Sequence, residues 1–141
     1  MTTRQMLVLV SAAALCVSTA SVARGDTVAP IRVFQGHTAS TLSVAISLDG
    51  RRLVTGAYDG TAKLWDMESG RELSAFQAHT GAVRSVAISQ DGRRLVTGSS
   101  DTTAKLWDIS SGRELRTFRG HGGGGWSVAI SLDGRRLVTG S

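Results

Sequence analysis

A string of 14 residues, Ser-Val-Ala-Ile-Ser-x-Asp-Gly-Arg-Arg-Leu-Val-Thr-Gly, is written three times into this chain. The copies begin at Ser43, Ser85 and Ser127, so that 42 residues separate one start from the next. Only one position varies, where leucine alternates with glutamine. A fixed period near forty predicts a repeat architecture, in which each unit buries its apolar face by stacking on the next unit.

Each unit shows the pattern of short antiparallel strands. In the second copy, Val86 and Ile88 alternate with small residues, which is typical of a strand with one buried face. Asp91-Gly92 then provides the residues of a tight hairpin turn. The remaining strands of this unit are predicted at 94–98, 104–108 and 114–118. Four strands per period indicate an all-β fold made of four-stranded antiparallel blades.

Pairs and triplets that contain histidine or tryptophan recur with the same period of 42 residues. They are Gly36-His37, Ala78-His79 and Gly120-His121 ahead of each unit, and Leu64-Trp65-Asp66 and Leu106-Trp107-Asp108 within the first two. Over residues 29–141 the chain therefore resembles the WD-repeat (β-transducin-like) family. The resemblance implies a β-propeller, in which four-stranded blades are arranged around a central axis.

The resemblance also indicates how much of a propeller the chain holds. Residues 29–141 amount to about 2.7 units, whereas propellers typically have at least about four blades, so we expect an incomplete propeller. Residues 29–34 match the fourth strand of the later units, which we interpret as a genuine start, and a third tryptophan would fall beyond Ser141. Uncovered blade faces and strand edges predict self-association or aggregation. The units are expected at about 35–76, 77–118 and, truncated, 119–141.

Two units contain the same four polar residues at matching offsets. They are His37, Thr55, Asp59 and Trp65 in the first unit and His79, Thr97, Asp101 and Trp107 in the second, and we call each set a tetrad. Their chemistry permits a one-way chain of hydrogen bonds, from indole N–H to threonine, from threonine hydroxyl to imidazole, and from imidazole N–H to carboxylate. The resemblance implies that the tetrad ties the outer part of a blade to its inner hairpin.

Catalysis or metal binding by the same residues is the main alternative. Threonine or serine, histidine and aspartate can act as nucleophile, base and orienting acid, and histidines are common metal ligands. However, the set occurs twice with a tryptophan attached, whereas an active site needs one copy in a cleft. Histidines 42 residues apart fall on successive blades, and no local pair has the spacing of zinc ligands. We therefore expect no catalytic residues, no metal, no cofactor and no enzymatic activity.

The formal net charge of +5 raises the question of a nucleic-acid partner. Six basic residues are arginine pairs that directly follow the Asp-Gly turns, namely Arg51/Arg52, Arg93/Arg94 and Arg135/Arg136. We interpret them as solvated turn residues and expect no nucleic-acid partner, with an anion-binding surface as the alternative. Four glycines at 122–125 predict a flexible connection between blades, because a phosphate-binding loop needs a helix after it and a strand is predicted at 126–131.

Residues 1–25 differ in composition from the repeats. Arg4 precedes the apolar stretch 6–17, and small residues follow it. This order is typical of a secretory signal peptide, and the apolar stretch is too short to span the roughly 30 Å of a bilayer core as a helix. We predict cleavage to a mature start between Ser21 and Asp26 and export to the periplasm or the medium. A cytoplasmic protein is the alternative. Cys16, the single cysteine, lies in this segment.

These features favour a non-catalytic protein-interaction scaffold. Positions that differ between the units fall in loops and strand entries, where binding residues concentrate. Tyr58, Arg84 and Trp126 are the predicted partner contacts, because aromatic and arginine side chains dominate interaction hot spots. Packing between blades is the other interpretation of these three residues. For the whole chain, the alternatives are a truncated gene product without a function of its own and a remnant of a larger WD-repeat sensor or enzyme.

Overall fold

The fold is built from strands and turns. The computed structural model describes residues 8–11, 20–21, 27–28, 32–123 and 127–141, and these ranges contain fourteen strands and no helix. The prediction of an all-β chain is therefore confirmed. No helix capable of crossing a membrane is present in the described ranges.

Four short strands precede the first blade. Strand β1 (Val8–Ser11) runs parallel to β4 (Arg32–Gln35), and β2 (Ala20–Ser21) pairs antiparallel with β3 (Thr27–Val28). Strand β4 covers part of the segment that the sequence predicts as an outer strand at 29–34. Strands β1 and β2 fall within the predicted signal peptide, residues 1–25. The other residues of that segment, including Cys16 and most of the apolar stretch, lie outside the described residues.

Two complete blades follow, each an antiparallel sheet whose strands are ordered as in the sequence. Blade one contains β5 (Thr41–Ile46), β6 (Arg52–Ala57), β7 (Ala62–Asp66) and β8 (Glu72–Phe76). Blade two contains β9 (Val83–Ile88), β10 (Arg94–Ser99), β11 (Thr103–Asp108) and β12 (Glu114–Arg119). The three predicted later strands of blade two are thus present, and each extends one residue beyond its predicted range.

The third unit forms a hairpin of two strands, β13 (Ser127–Ile130) and β14 (Leu137–Gly140). The strand predicted at 126–131 is therefore found at its centre. Trp126 and the glycines at 124–125, where we predict a partner contact and a flexible connection, lie outside the described residues.

The turn between the first two strands of each unit is longer than the tight hairpin that Asp-Gly suggested. In blade one, residues 47–51 connect the strands, and the Ser47 amide and the Arg52 carbonyl close the loop with a 2.9 Å hydrogen bond. Gly50 has a φ of 68°, a left-handed conformation that favours glycine. The Asp49 carboxylate accepts hydrogen bonds from the Ser47 hydroxyl and the Arg51 amide. Ser47, which comes before the Asp-Gly pair, is therefore also part of the turn.

The blades stack face to face, and their cores lie between them. Val54, Leu64 and Phe76 of blade one pack in one cluster with Leu95 and Trp107 of blade two. The next interface joins three buried residues, Val96, Ala104 and Val128, to partly buried ones that include Phe118. Burial of each valine or leucine contributes roughly 1.5–3 kcal/mol, so the interfaces between blades are a main source of stability.

Candidate functional site

The tetrad of blade one forms a continuous hydrogen-bonded chain. The Trp65 indole N–H donates to the Thr55 hydroxyl oxygen at 2.9 Å, and that hydroxyl lies 2.7 Å from Nε2 of His37. Nδ1 of His37 lies 3.0 Å from Oδ2 of Asp59. The neutral imidazole with its proton on Nδ1 satisfies every member, because Nε2 then accepts from Thr55 and Nδ1–H donates to the carboxylate.

The tetrad of blade two has the same geometry. Trp107 Nε1 and Thr97 Oγ1 are 3.0 Å apart, Thr97 Oγ1 and His79 Nε2 are 2.8 Å apart, and His79 Nδ1 lies 2.8 Å from Asp101 Oδ2. The repeat in sequence is thus a repeat of side-chain contacts.

Strand register brings the inner members of each tetrad together. In blade one, Leu53 on β6 lies directly opposite Trp65 on β7. Thr55 is two residues further along β6 and therefore on the same face, diagonal to the tryptophan and within its reach. His37 comes from the segment after β4, and Asp59 from the loop after β6. The tetrad accordingly joins four separate segments of the chain.

A fifth residue, which the sequence analysis missed, belongs to each set. The Thr61 hydroxyl donates to Oδ1 of Asp59 at 2.6 Å and lies 3.1 Å from Nδ1 of His37, and the Thr61 amide donates to the same oxygen. Thr103 makes the equivalent contacts in blade two. The available signal was a threonine two residues after each aspartate, at the repeat spacing.

These hydrogen bonds control the charge state of the tetrad. Partial burial raises the pKa of Asp59, but hydrogen bonds from Thr61, Thr38 and His37 outweigh it and lower the pKa to about 2. In blade two, burial lowers the pKa of His79, and the hydrogen bond and charge of Asp101 oppose that shift in part. Asp59 is therefore ionised at neutral pH, and His79 is neutral.

The tetrad threonines are closed to solvent. Thr55 and Thr97 have exposed fractions of 0%, and the side chains of His37 and His79 are equally inaccessible. A nucleophile must reach its substrate, and these hydroxyls instead contact an indole and an imidazole. Within the described ranges, no group of three or more histidine, cysteine, aspartate or glutamate side chains is arranged to hold a metal ion.

A lysine that is paired with a glutamate lies over each tetrad tryptophan, another feature that the sequence analysis missed. Lys63 Nζ lies 2.6 Å from Glu72 Oε2 and 5.8 Å from the centroid of the Trp65 ring. Lys105 and Glu114 repeat the arrangement over Trp107. The third unit retains one link of the tetrad, since His121 Nε2 lies 3.0 Å from Thr139 Oγ1.

The loops at the histidine end of the blades carry the predicted partner contacts. Tyr58 is 55% exposed in the loop between β6 and β7, and Arg84 is exposed on β9. Trp126 lies outside the described residues. The loop of Tyr58 contacts the next blade, because the His79 amide donates to the Gly60 carbonyl at 3.0 Å. We call these loops, residues 37–40, 58–61, 79–82 and 100–102, together with Leu42 and Arg84 near the starts of β5 and β9, the variable end.

At the opposite end, one arginine departs from the solvated role that the sequence suggested. The Arg52 guanidinium donates to the Gly92 carbonyl of the next blade at 3.3 Å, and the residue is half-buried. The expectation was wrong for Arg52 because blade stacking brings the neighbouring turn within reach. A groove of about 510 Å³ lies beside it, with Leu73, Asp91 and Arg93 in its lining.

Comparison with protein families identifies the repeat. The family model described as "WD domain, G-beta repeat" matches residues 28–66, 70–108 and 112–141. Over 54 residues the chain is 45% identical to "Vegetative incompatibility protein HET-E-1" of Podospora anserina, a match covering 38% of this chain and 4% of that protein. Over 43 residues it is 49% identical to "Protein groucho" of Drosophila melanogaster, covering 30% of this chain and 6% of that protein.

Comparison with solved structures finds chains of similar fold. The structures titled "Structure of U3-55K" and "Crystal structure of RRP9 WD40 repeats" each superpose with a TM-score of 0.63 at 30% identity. Each match covers 68% of this chain and 32% or 31% of the solved chain. The chain thus spans a small fraction of its curated relatives and about a third of these solved chains.

Proposed function

The chain belongs to the WD-domain, G-beta repeat family, and we propose that it acts as a non-catalytic scaffold that binds protein partners through the variable end of its blades. WD domains generally mediate protein–protein interactions. The observation that carries the proposal is a division between the repeated and the varied residues. Thr55, His37 and Trp65 repeat and are buried, whereas Tyr58, three residues beyond Thr55, differs between the units and is 55% exposed.

Two varied positions supply chemically distinctive side chains at this end. The position of Tyr58 holds Ser100 in blade two, and the position of Arg84 holds Leu42 in blade one. Tyrosine and arginine contribute strongly to interfaces, because each combines a large contact area with directional hydrogen bonding. Trp126, at the third position of the Arg84 series, completes the proposed contact set.

The experiment that tests this proposal is affinity capture from the native extract. Tyr58→Ala and Arg84→Ala should each reduce capture of a partner that the wild-type chain retains. Arg93→Ala, an exposed arginine in the turn at the opposite end of blade two, is the matched control and should leave capture unchanged. Equal capture by all variants would contradict a binding surface at the variable end.

We propose a structural role for the tetrads. The proposal is supported by the burial of Thr55 and Thr97. It is also supported by the hydrogen bond that each tetrad tryptophan donates to its threonine. Reproducible hydrolase activity that disappears in His79→Ala, with the fold retained, would contradict it.

A second candidate function is that of a repeat segment within a larger sensor or enzyme. It draws support from the 4% and 6% of the curated relatives that the chain spans. Gene sequence that continues the 42-residue period, detected by sequencing beyond the codon for Ser141, would favour it over the independent scaffold.

Three further proposals concern the context of the scaffold. Residues 1–25 act as a signal peptide. N-terminal sequencing of exported protein should find a start between Ser21 and Asp26, and an intact Met1 would contradict cleavage.

The chain also self-associates through open blade faces. It has no nucleic-acid partner, because the turn aspartates lie beside the arginine pairs.

A further inference from the structure

The groove between blade one and blade two lies at the end of the stack opposite the variable end. Its volume of about 510 Å³ is within the roughly 300–1,000 Å³ of ligand-binding clefts. Every residue of its lining belongs to one of the two complete blades. Blade one contributes the start of β6 and parts of β7 and β8, and blade two contributes two turns, residues 91–93 and 109–112. The groove is therefore a product of blade stacking.

The floor and one side of the groove are apolar. Leu64 on β7 and Ile109 in the second turn are 3% and 7% exposed, and Leu73 on β8 is 49% exposed beside them. A partner side chain that covers these three residues removes their remaining apolar surface, together with its own, from water, which favours binding. The groove is thus suited to a bulky apolar side chain.

An arginine lies at the mouth of this apolar surface. Arg93 is exposed, and its guanidinium makes no hydrogen bond or salt bridge to another described residue. Its backbone is held on both sides, since the amide donates to the Asp91 carboxylate at 3.0 Å and the carbonyl accepts from the Ile109 amide at 2.9 Å. The position of Arg93 is therefore fixed by the fold, while its guanidinium is available to a partner.

The other two charged residues of the lining are already engaged within the chain. Asp91 accepts hydrogen bonds from the Ser89 hydroxyl and the Arg93 amide, and Arg52 donates to the Gly92 carbonyl. Two arginines and one aspartate leave the lining with a net positive charge. An acidic group complements this charge, and a guanidinium can bind a carboxylate through two parallel hydrogen bonds.

We propose that this groove is a second interaction surface, which binds an extended segment of a partner protein that carries a bulky apolar residue next to an aspartate or glutamate. The apolar side chain packs on Leu73 and Ile109, and the carboxylate pairs with Arg93. An extended segment fits because the groove is open to solvent along the exposed Ser110 and Ser111. The proposal goes beyond the variable end, since no residue of the groove belongs to that end.

The test is the selection of displayed random short peptides on the full chain, with Leu73→Thr used to subtract peptides that do not need the groove. Threonine suits a strand and adds no charge, so the variant should fold and should not favour peptides of either charge. Peptides that only the wild type retains should carry a bulky apolar residue beside an aspartate or glutamate. Leu115→Thr is the matched control and should retain them, because Leu115 has the same repeat position, is 50% exposed and lies outside the groove.

A second pair of variants measures the contribution of the charge and does not depend on the Leu73 variant. Binding of a synthetic copy of the most enriched peptide is followed by fluorescence anisotropy. Arg93→Ala should weaken it at least about tenfold, because a charge-assisted contact is lost. Arg94→Ala removes the neighbouring exposed arginine, which is outside the groove lining, and should leave the affinity unchanged.

A selection that yields no peptide specific for the wild type would overturn the groove as a binding surface. Loss of the peptides in Leu115→Thr as well would also overturn it. Basic or uncharged peptides, or equal losses in Arg93→Ala and Arg94→Ala, would overturn the acidic occupant. Tyr58→Ala should leave the peptide's affinity unchanged, just as Arg93→Ala should leave capture at the variable end unchanged. Failure at one surface is therefore distinct from failure at the other.

Discussion

Blade two and the hairpin of the third unit have the same inner residues and very different environments. Leu95 is fully buried on β10, whereas Leu137 on β14 is half-buried. Val96 has no exposed surface, and Val138 is 67% exposed. The residues and their hairpin register are repeated, so the difference comes from their neighbours. β11 covers one edge of the blade-two hairpin, and the third unit covers its face.

The same contrast applies to the tetrad. Thr97 is buried between Trp107 and His79, and its hydroxyl accepts a hydrogen bond from the indole N–H and donates one to the imidazole. Thr139 is half-buried and contacts His121. The repeated string therefore specifies a hairpin, whereas a stable blade also requires the tryptophan strand and an adjacent blade.

The largest effect is expected from leucine truncation in the two hairpins. Leu95→Ala should lower the free energy of unfolding by about 2–5 kcal/mol, because it leaves a cavity between blades. Leu137→Ala should cost clearly less, since its site is partly solvated already. Urea unfolding followed by tryptophan fluorescence measures both, and equal losses would contradict a difference in packing between the two hairpins.

A glycine substitution tests the blade interface from the opposite direction. A methyl group at Gly56 would lie 2.6 Å from Val83 Cγ1, whereas nothing lies within 4 Å of a methyl group at Gly140. Gly56→Ala should therefore destabilise the chain by about 1–3 kcal/mol through overpacking. Gly140→Ala, measured by the same urea unfolding, should be close to neutral. Stabilisation by Gly56→Ala would show that the interface has room to adjust.

Acidification should destabilise the blades in two steps. The folded pKa of His79 lies below its ordinary value of 6.5, so the unfolded chain binds that proton first and stability falls as the pH drops below 6.5. Asp59 has its pKa lowered from 3.8 to about 2, so stability falls again between those values. Each proton contributes at most about 1.4 kcal/mol per pH unit.

Thermal unfolding from pH 7 to about pH 2 measures this dependence, and His79→Gln serves as the control. The substitution should remove the contribution of this residue to the upper step. If stability falls between pH 7 and pH 5 as steeply in His79→Gln as in the wild type, the result would argue against a neutral, buried imidazole.

The smallest effect is expected at the lysine–glutamate pairs over the tryptophans. Glu114→Gln should cost less than about 1 kcal/mol, because the pair is partly exposed and solvent screens it. Glu72→Gln should cost about the same, since Lys63–Glu72 and Lys105–Glu114 have similar distances and exposure. Urea unfolding at low and high salt checks both variants, and a salt-independent loss above that size would indicate a packing role.

The sequence period was sufficient to predict the blades and the tetrad members, because residues 42 apart occupy equivalent places in successive sheets. It did not reveal the contacts between blades. The Ser43 hydroxyl reaches the Val86 amide, and the Arg52 guanidinium reaches the Gly92 carbonyl, only because consecutive sheets stack at a particular distance and twist. Thr61 was missed for another reason, since its role depends on the conformation of the loop that also holds Asp59.

The most direct test of the central claim, that the tetrad is a structural unit of each complete blade, is the free energy of unfolding of Thr97→Val beside Thr139→Val. In Thr97→Val the buried Trp107 indole and His79 lose their shared hydroxyl, so we expect a loss of about 1–3 kcal/mol. Thr139→Val makes the same chemical change at a half-buried position and should cost distinctly less. Equal losses, or an unchanged denaturant midpoint in Thr97→Val, would contradict the claim.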